Sequence, residues 1–205
     1  TVSVVYACAR ILGTRQGGVL TLLLAGGAVG AFASAITNAL FALSSQQDVA
    51  RLLFWSWGGL PRLRWTYLYV LTGLSLVSAA SLSLGLRELD ALALGVGRAT
   101  QLGVSIARSR LTWLTVATLM TAGPVAFCGP VGFIGLIAPH ATRLLVGPRH
   151  AWLLPMASLL GGTLLCACDT VARTVLAPAE LPVGVVTAFV GVPFFLCLLL
   201  RQRAP

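Results

Sequence analysis

Few side chains in this sequence are able to do chemistry, and their spacing limits what that chemistry is. The 205 residues hold fourteen arginines, five carboxylates, two histidines, five cysteines and no lysine. Asp169 and Arg173 stand four apart in an apolar run, which on a helix puts them on one face within pairing reach. A charge at membrane depth costs at least a few kcal/mol, so these two are the most expensive residues in the chain. The planar arginine fork suits bidentate capture of a carboxylate. His140 follows Pro139 with no carboxylate or second ligand nearby in sequence, so packing at a helix end is expected rather than proton relay or metal binding. Cys166 and Cys168 are two apart, point to different helix faces and lack metal-ligand spacing. With Cys8, Cys128 and Cys197 they read as small apolar packing residues. No nucleophile or acid–base pair emerges, and no catalytic residue or metal site is expected. Without lysine the chain cannot contain a G-x-x-x-x-G-K-[ST] phosphate loop, so any ATP and its magnesium must be bound by another chain.

These residues have to be positioned by membrane helices. The chain is 58% hydrophobic and only 9% charged, with mean hydropathy +0.94, whereas soluble domains are about 25% charged. Its solvent is expected to be a bilayer, and its fold an all-α polytopic helical bundle forming one domain. A span needs about 20 apolar residues. Residues 19–43, 65–86, 111–127, 131–146, 151–176 and 182–200 supply six, the fourth broken at Pro139. Residues 1–12 read as the tail of another. The chain starts at Thr1 with no recognisable signal peptide and looks like a fragment of a longer one. Just before and within the start of the fourth stretch, Gly129, Gly132 and Gly135 recur every three residues. In water each glycine costs a helix about 1 kcal/mol relative to alanine, but in lipid it allows backbones to pack closely.

Arginines set the expected threading, because short cytoplasmic loops collect positive charge. With residues 1–12 ending inside, Arg10, Arg15, Arg87, Arg98, Arg108, Arg110, Arg143, Arg149, Arg201 and Arg203 fall on the cytoplasmic side, opposed only by Glu88 and Asp90. Arg51, Arg62, Arg64 and Arg173 fall outside with Asp48, Asp169 and Glu180. The C-terminus is then cytoplasmic. Trp55, Trp57 and Trp65 suit the membrane boundary, with a short interfacial helix over residues 49–57 ended by Gly58-Gly59. Positive charge at span ends implies lipid contact and no nucleic-acid partner.

Several blocks together resemble one family. GPVGFIGLIAPHATRLLVGPRH (129–150), DTVAR (169–173), APAELPVGVVTA (177–188), GVPFF (191–195), LLLAG (22–26), LALG (92–95) and ATQLG (99–103) are similar to blocks of the FecCD family, the iron-siderophore, haem and cobalamin uptake permeases of bacterial ABC importers. They occur in the family's order over almost the whole chain. Family members have about ten membrane-spanning helices, so the resemblance covers their second half. It implies an inner-membrane, multi-pass permease subunit that works as a dimer. Its partners would be cytoplasmic ATPase subunits and a periplasmic or lipid-anchored substrate-binding protein, and it would bind no cofactor of its own.

The resemblance also assigns roles. By composition, residues 88–110 are a basic solvated loop with room for two short helices and glycine breaks at Gly95, Gly97 and Gly103. In the family this loop couples to the ATPase, which places Leu92, Gly95, Arg98, Ala99, Leu102 and Gly103 at that contact. The chain departs from the family at Val96, where an acidic residue is often expected. Arg173 would meet the binding protein's acidic residues, while Asp169 is either its local partner or part of that contact. Gly129, Pro130, Gly132, Phe133, Gly135, Pro139, His140, Asp169, Glu180 and Pro182 carry the signature and its packing, with Pro182 in the first turn of the last helix and Pro193 as a kink. Gly26, Gly30, Ser34, Thr37, Asn38 and Thr187 would line the translocation path, a weakly charged wall suited to a large chelated ligand. Val19 and Leu20 would form an apolar inner seal. The alternative is half of an ion-coupled secondary transporter or channel, with Asp169, Arg173 and His140 as its coupling set.

Overall fold

The computed structural model describes residues 19–60, 65–177 and 179–202. Among these there are nine helices and no strand. The stretch at residues 1–12 lies outside the described residues, as do Arg10, Arg15, Arg62, Arg64 and Arg203.

Helix α1 (Val19–Ala42) is apolar all round and carries no charge in its end turns. Helix α2 (Gln46–Ser56) is started by Ser45, whose hydroxyl accepts from the Asp48 backbone N–H and donates to its carboxylate at 2.6 Å. The cap satisfies one donor that the first turn leaves open, and the carboxylate holds the hydroxyl in place. It stops where Gly58 takes φ +72°, a left-handed conformation that only glycine adopts cheaply. Helix α3 (Trp65–Leu84) ends at Gly85, which lies against the Trp113 ring. Two short helices follow, α4 (Leu86–Ala93) and α5 (Val96–Gln101). Then come α6 (Ile106–Cys128), α7 (Ile134–Val146), α8 (His150–Thr174) and α9 (Val183–Gln202).

Helices α3, α6 and α8 are each long and apolar enough to cross a membrane. They meet through small residues. Gly161 lets α7 lie close on α8, where an added Cβ would touch Ala138 at 3.4 Å and Ile134 at 3.6 Å. Gly123 does the same for α6 against Leu74 of α3. Fully buried apolar residues are few and mostly small, among them Ala91, Ala99, Ala138, Cys168 and Ala172. Large apolar side chains such as Phe32, Tyr69, Leu76, Leu145 and Phe189 point outward instead. This inversion is how helices pack when lipid is the solvent.

Several expectations need correction. Pro139 does not break its helix, since α7 runs through it. Proline removes one backbone bond, and the turns on both sides are held by packing against α8. That helix begins only at Ile134, because Gly129 to Phe133 form a turn with φ +71° at Gly129 and +65° at Phe133. A bulky residue at positive φ is strained by about 1–3 kcal/mol; here its ring packs on Gly191, where any Cβ would overlap it. The three-residue glycine spacing is therefore not a helix seam, as Gly132 and Gly135 have no neighbour within 4 Å of a built Cβ. Gly97 lies inside α5 and breaks nothing, whereas Gly95 (φ +97°) and Gly103 (φ +80°) do make the turns. Pro182 precedes α9 instead of lying in its first turn.

Candidate functional site

Helix α8 carries polar chemistry at both ends, at His150 and Arg173, about 35 Å apart at 1.5 Å per residue.

At one end the Arg173 guanidinium is held from three directions. Its Nε donates to Asp169 Oδ2 at 2.8 Å, one Nη donates to the Leu60 carbonyl at 2.7 Å, and the other lies 3.8 Å from Glu180 Oε1. The remaining Asp169 oxygen is buried with no partner among the described residues. Arg173 is half-buried and Glu180 exposed. They border a cavity of about 620 Å³, walled by Phe54, Trp55, Phe127 and Leu181 and reached by Arg51. Arg173 is thus a bridge between α8 and the chain after α2, with one edge still open to solvent. Sequence reasoning found the ion pair but missed Leu60, whose carbonyl leaves no trace in residue type.

The same end is closed mainly by backbone hydrogen bonds, with one from an indole. Gly59 N–H donates to Cys128 carbonyl at 2.8 Å and Gly184 N–H to Gly58 carbonyl at 3.2 Å, and the Trp55 indole donates to Ala126 carbonyl at 3.3 Å. A Cβ on Gly58, Gly129 or Gly184 would overlap the Pro130, Trp55 or Trp57 carbonyl oxygen respectively. The end of α2, the end of α6 and the start of α9 therefore form one glycine-dependent junction. Pro130 contributes its carbonyl to it.

At the other end, α8 begins without a cap of its own, since Arg149 offers no side-chain bond. Asp90 of α4 supplies one. Its Oδ1 accepts from the His150 backbone N–H at 3.0 Å and contacts His150 Nδ1 at 2.6 Å. The backbone hydrogen bond, followed by the ring bond, holds the Asp90 carboxyl below its ordinary value of 3.8. Because the ionised form is the one favoured, this stabilisation is complete above that value and is lost as the pH falls through the lowered folded one. Glu88, the other acid of α4, accepts from the Trp113 indole at 3.1 Å. Trp113→Phe removes that bond and part of the ring surface packed on Gly85, and should cost about 1–3 kcal/mol in thermal unfolding. Neither contact was foreseen, but the absence of Ser, Thr, Asp or Asn before α8 is legible and calls for an acceptor from elsewhere.

Between α4 and α6 the chain presents Leu94, Val96 and Leu102, 55%, 54% and 64% exposed, beside exposed Arg98 and Gly103. Leu94 and Val96 are exposed here but are not among the residues the sequence singled out for the partner contact. Ala99, expected at the partner contact, is fully buried within α5, and Leu92 is half-buried. Of the path residues, Gly26, Gly30, Ser34, Thr37 and Asn38 are exposed on α1, with the Thr37 hydroxyl returned to Ala33 carbonyl at 3.0 Å. Thr187 is a correction. It is 1% exposed and bonded to Gly184 carbonyl, so it belongs to the packing of α9 and not to an open wall. His140 stands edge-on to Phe194, ring centres 6.3 Å apart, in a separate small cavity with Phe133 and Gly191. The structure does not bring it to Asp169 and Arg173. No group of three metal-binding side chains occurs among the described residues.

Comparison with known proteins agrees across the chain. It is 41% identical over 92% of its length to the hemin transport system permease protein HmuU of Yersinia pestis, and covers 56% of that protein. To the Fe(3+) dicitrate transport system permease protein FecD of Escherichia coli (strain K12) it is 44% identical over 90% of its length, covering 58%. To the cobalamin import system permease protein BtuC of Halobacterium salinarum it is 43% identical over 89%, covering 48%. The chain thus spans about half the length of these curated relatives. A solved structure of a metal-chelate-type ABC transporter in an inward-facing conformation superposes with a TM-score of 0.81 at 33% identity, over 89% of this chain and 61% of that one. Since residues 1–201 also match the FecCD transport family as a whole, this chain belongs to that family.

Proposed function

We propose that this chain forms the later helices of a permease subunit in an ATP-driven, binding-protein-dependent importer of metal chelates, haem or corrinoids. The observation that carries the reading is the unbroken family match from residue 1 to residue 201. The α4–α5 turn then lies on the cytoplasmic side and meets the ATPase subunits, which hold ATP and magnesium. Its exposed apolar knobs Leu94, Val96 and Leu102 suit a groove, while Arg98 suits an acidic rim. The Arg173 end faces outward and receives the acidic surface of a binding protein. A second permease protomer packs along α1 and α9, whose exposed Phe32, Phe189 and Phe195 are otherwise left to lipid, and the path runs between the two. The separation of His140 from the Asp169–Arg173 pair disfavours an ion-coupled carrier.

Uptake of hemin, ferric dicitrate and cyanocobalamin by cells carrying the longer permease tests this. At least one cargo should enter, entry should fall to background when the partner ATPase is inactivated, and it should survive a protonophore while ATP is maintained. Uptake that persists without the ATPase would overturn the reading.

A further inference from the structure

The two polar ends of α8 lie on one continuous helix, yet each is fastened to a different element. The His150 end is fastened to α4 by Asp90, and the Arg173 end to the segment after α2 by the Leu60 carbonyl. Between these ends α8 packs on the shorter α7 and also touches α9. The first four N–H groups of any helix lack internal partners, and here the acceptor at the first of them comes from another helix. A displacement of α4 therefore has two outcomes: it carries the start of α8 with it, or it leaves a helix end uncapped.

We propose that Asp90 and His150 are positioning residues forming the joint through which movement of the α4–α5 turn is passed to α8, and so to the Arg173 end. The inference rests on the importer reading above, and adds to it the route by which the two partners sense one another. Other elements do not supply a competing link of the same kind. Glu88 ties α4 to Trp113 of α6, but α6 ends in the glycine junction, which is held by backbone bonds between segments and carries no charged group. The Asp90 joint is the only contact among the described residues in which a carboxylate of α4 caps another helix. Linkage makes the binding free energies reciprocal: whatever docking at the Arg173 end does to the ATPase's affinity for nucleotide, nucleotide binding does to docking.

The test uses the longer permease with its ATPase and its binding protein in proteoliposomes, with hemin, ferric dicitrate and cyanocobalamin as cargo probes. Asp90→Ala should lower the number of cargo molecules imported per ATP hydrolysed at least tenfold. Asp90→Asn keeps an oxygen acceptor for the His150 N–H and should stay within threefold of wild type. His150→Ala keeps the backbone donor, loses the ring bond, and should fall between them. If Asp90→Ala does not assemble, the ordering of Asp90→Asn above His150→Ala carries the same information. An import-to-hydrolysis ratio unchanged in Asp90→Ala and His150→Ala, with wild type active, would overturn the joint alone. A wild type that imports none of the probes under ATP would overturn the importer reading, and the joint with it.

Discussion

Gly184→Val and Gly129→Val are expected to be the two most damaging single substitutions among the described residues. At both positions a Cβ would overlap a backbone carbonyl oxygen, of Trp57 and of Trp55 respectively. Neither oxygen can swing away as a side chain would, so two helix ends must separate. Overpacking of a rigid site costs about 1–3 kcal/mol even where side chains can adjust, and more where they cannot. Gly129 adds about 1–2 kcal/mol for forcing a side-chain-bearing residue into left-handed backbone. Both variants should lose about 3 kcal/mol or more and elute largely as aggregate from detergent. Gly132→Ala has open space around it and should stay within about 0.5 kcal/mol of wild type. Thermal unfolding of the purified protein in one detergent, scored by the monodisperse fraction, compares the three. If Gly184→Val melts with wild type, the junction is not what holds this end together.

Arg173→Ala should produce the largest functional loss without preventing insertion. It removes the hydrogen bond to Leu60 and leaves Asp169 partly buried with neither oxygen paired. Truncating one member of a desolvated charge pair costs about 2–5 kcal/mol in recognition, part of it from the charge left behind. Binding-protein affinity should accordingly fall about 30-fold or more. Arg173→Lys should restore little of it, because one ammonium group cannot reach Asp169 and the Leu60 carbonyl as a planar fork does. Asp169→Asn combined with Arg173→Ala should recover part of the stability but not the affinity. Equal affinity for wild type and Arg173→Ala in surface-plasmon measurements would mean that the arginine serves only α8 and the chain around Leu60.

Much of this was legible in the sequence, for identifiable reasons. The apolar spans, the glycine turns at Gly95 and Gly103, and the Asp169–Arg173 pair all follow from local spacing or from the cost of charge in lipid. Local rules also misled. Pro139 reads as a helix break but is carried by α7, whose packing on α8 outweighs one lost bond. Gly129, Gly132 and Gly135 look like a helix-packing seam, yet only Gly129 makes a close approach, and it does so in a turn. What could not be read were contacts between distant segments through backbone atoms or single oxygens. The Asp90 cap spans 60 residues and the Arg173–Leu60 bond spans 113. Thr187 illustrates the same limit: a polar residue on an apolar helix reads as a pore wall, while its hydroxyl is bonded within α9 and buried.

The central claim is that one helix, α8, joins an ATPase-facing turn to a binding-protein-facing end on opposite sides of the membrane. Single cysteines at Leu102 and Glu180, placed in a cysteine-free version of the longer permease and cross-linked within the assembled transporter, test it directly. Leu102→Cys should link to the ATPase and never to the binding protein, and Glu180→Cys should do the reverse. Both positions linking to the same partner, or each to the other's, would contradict it.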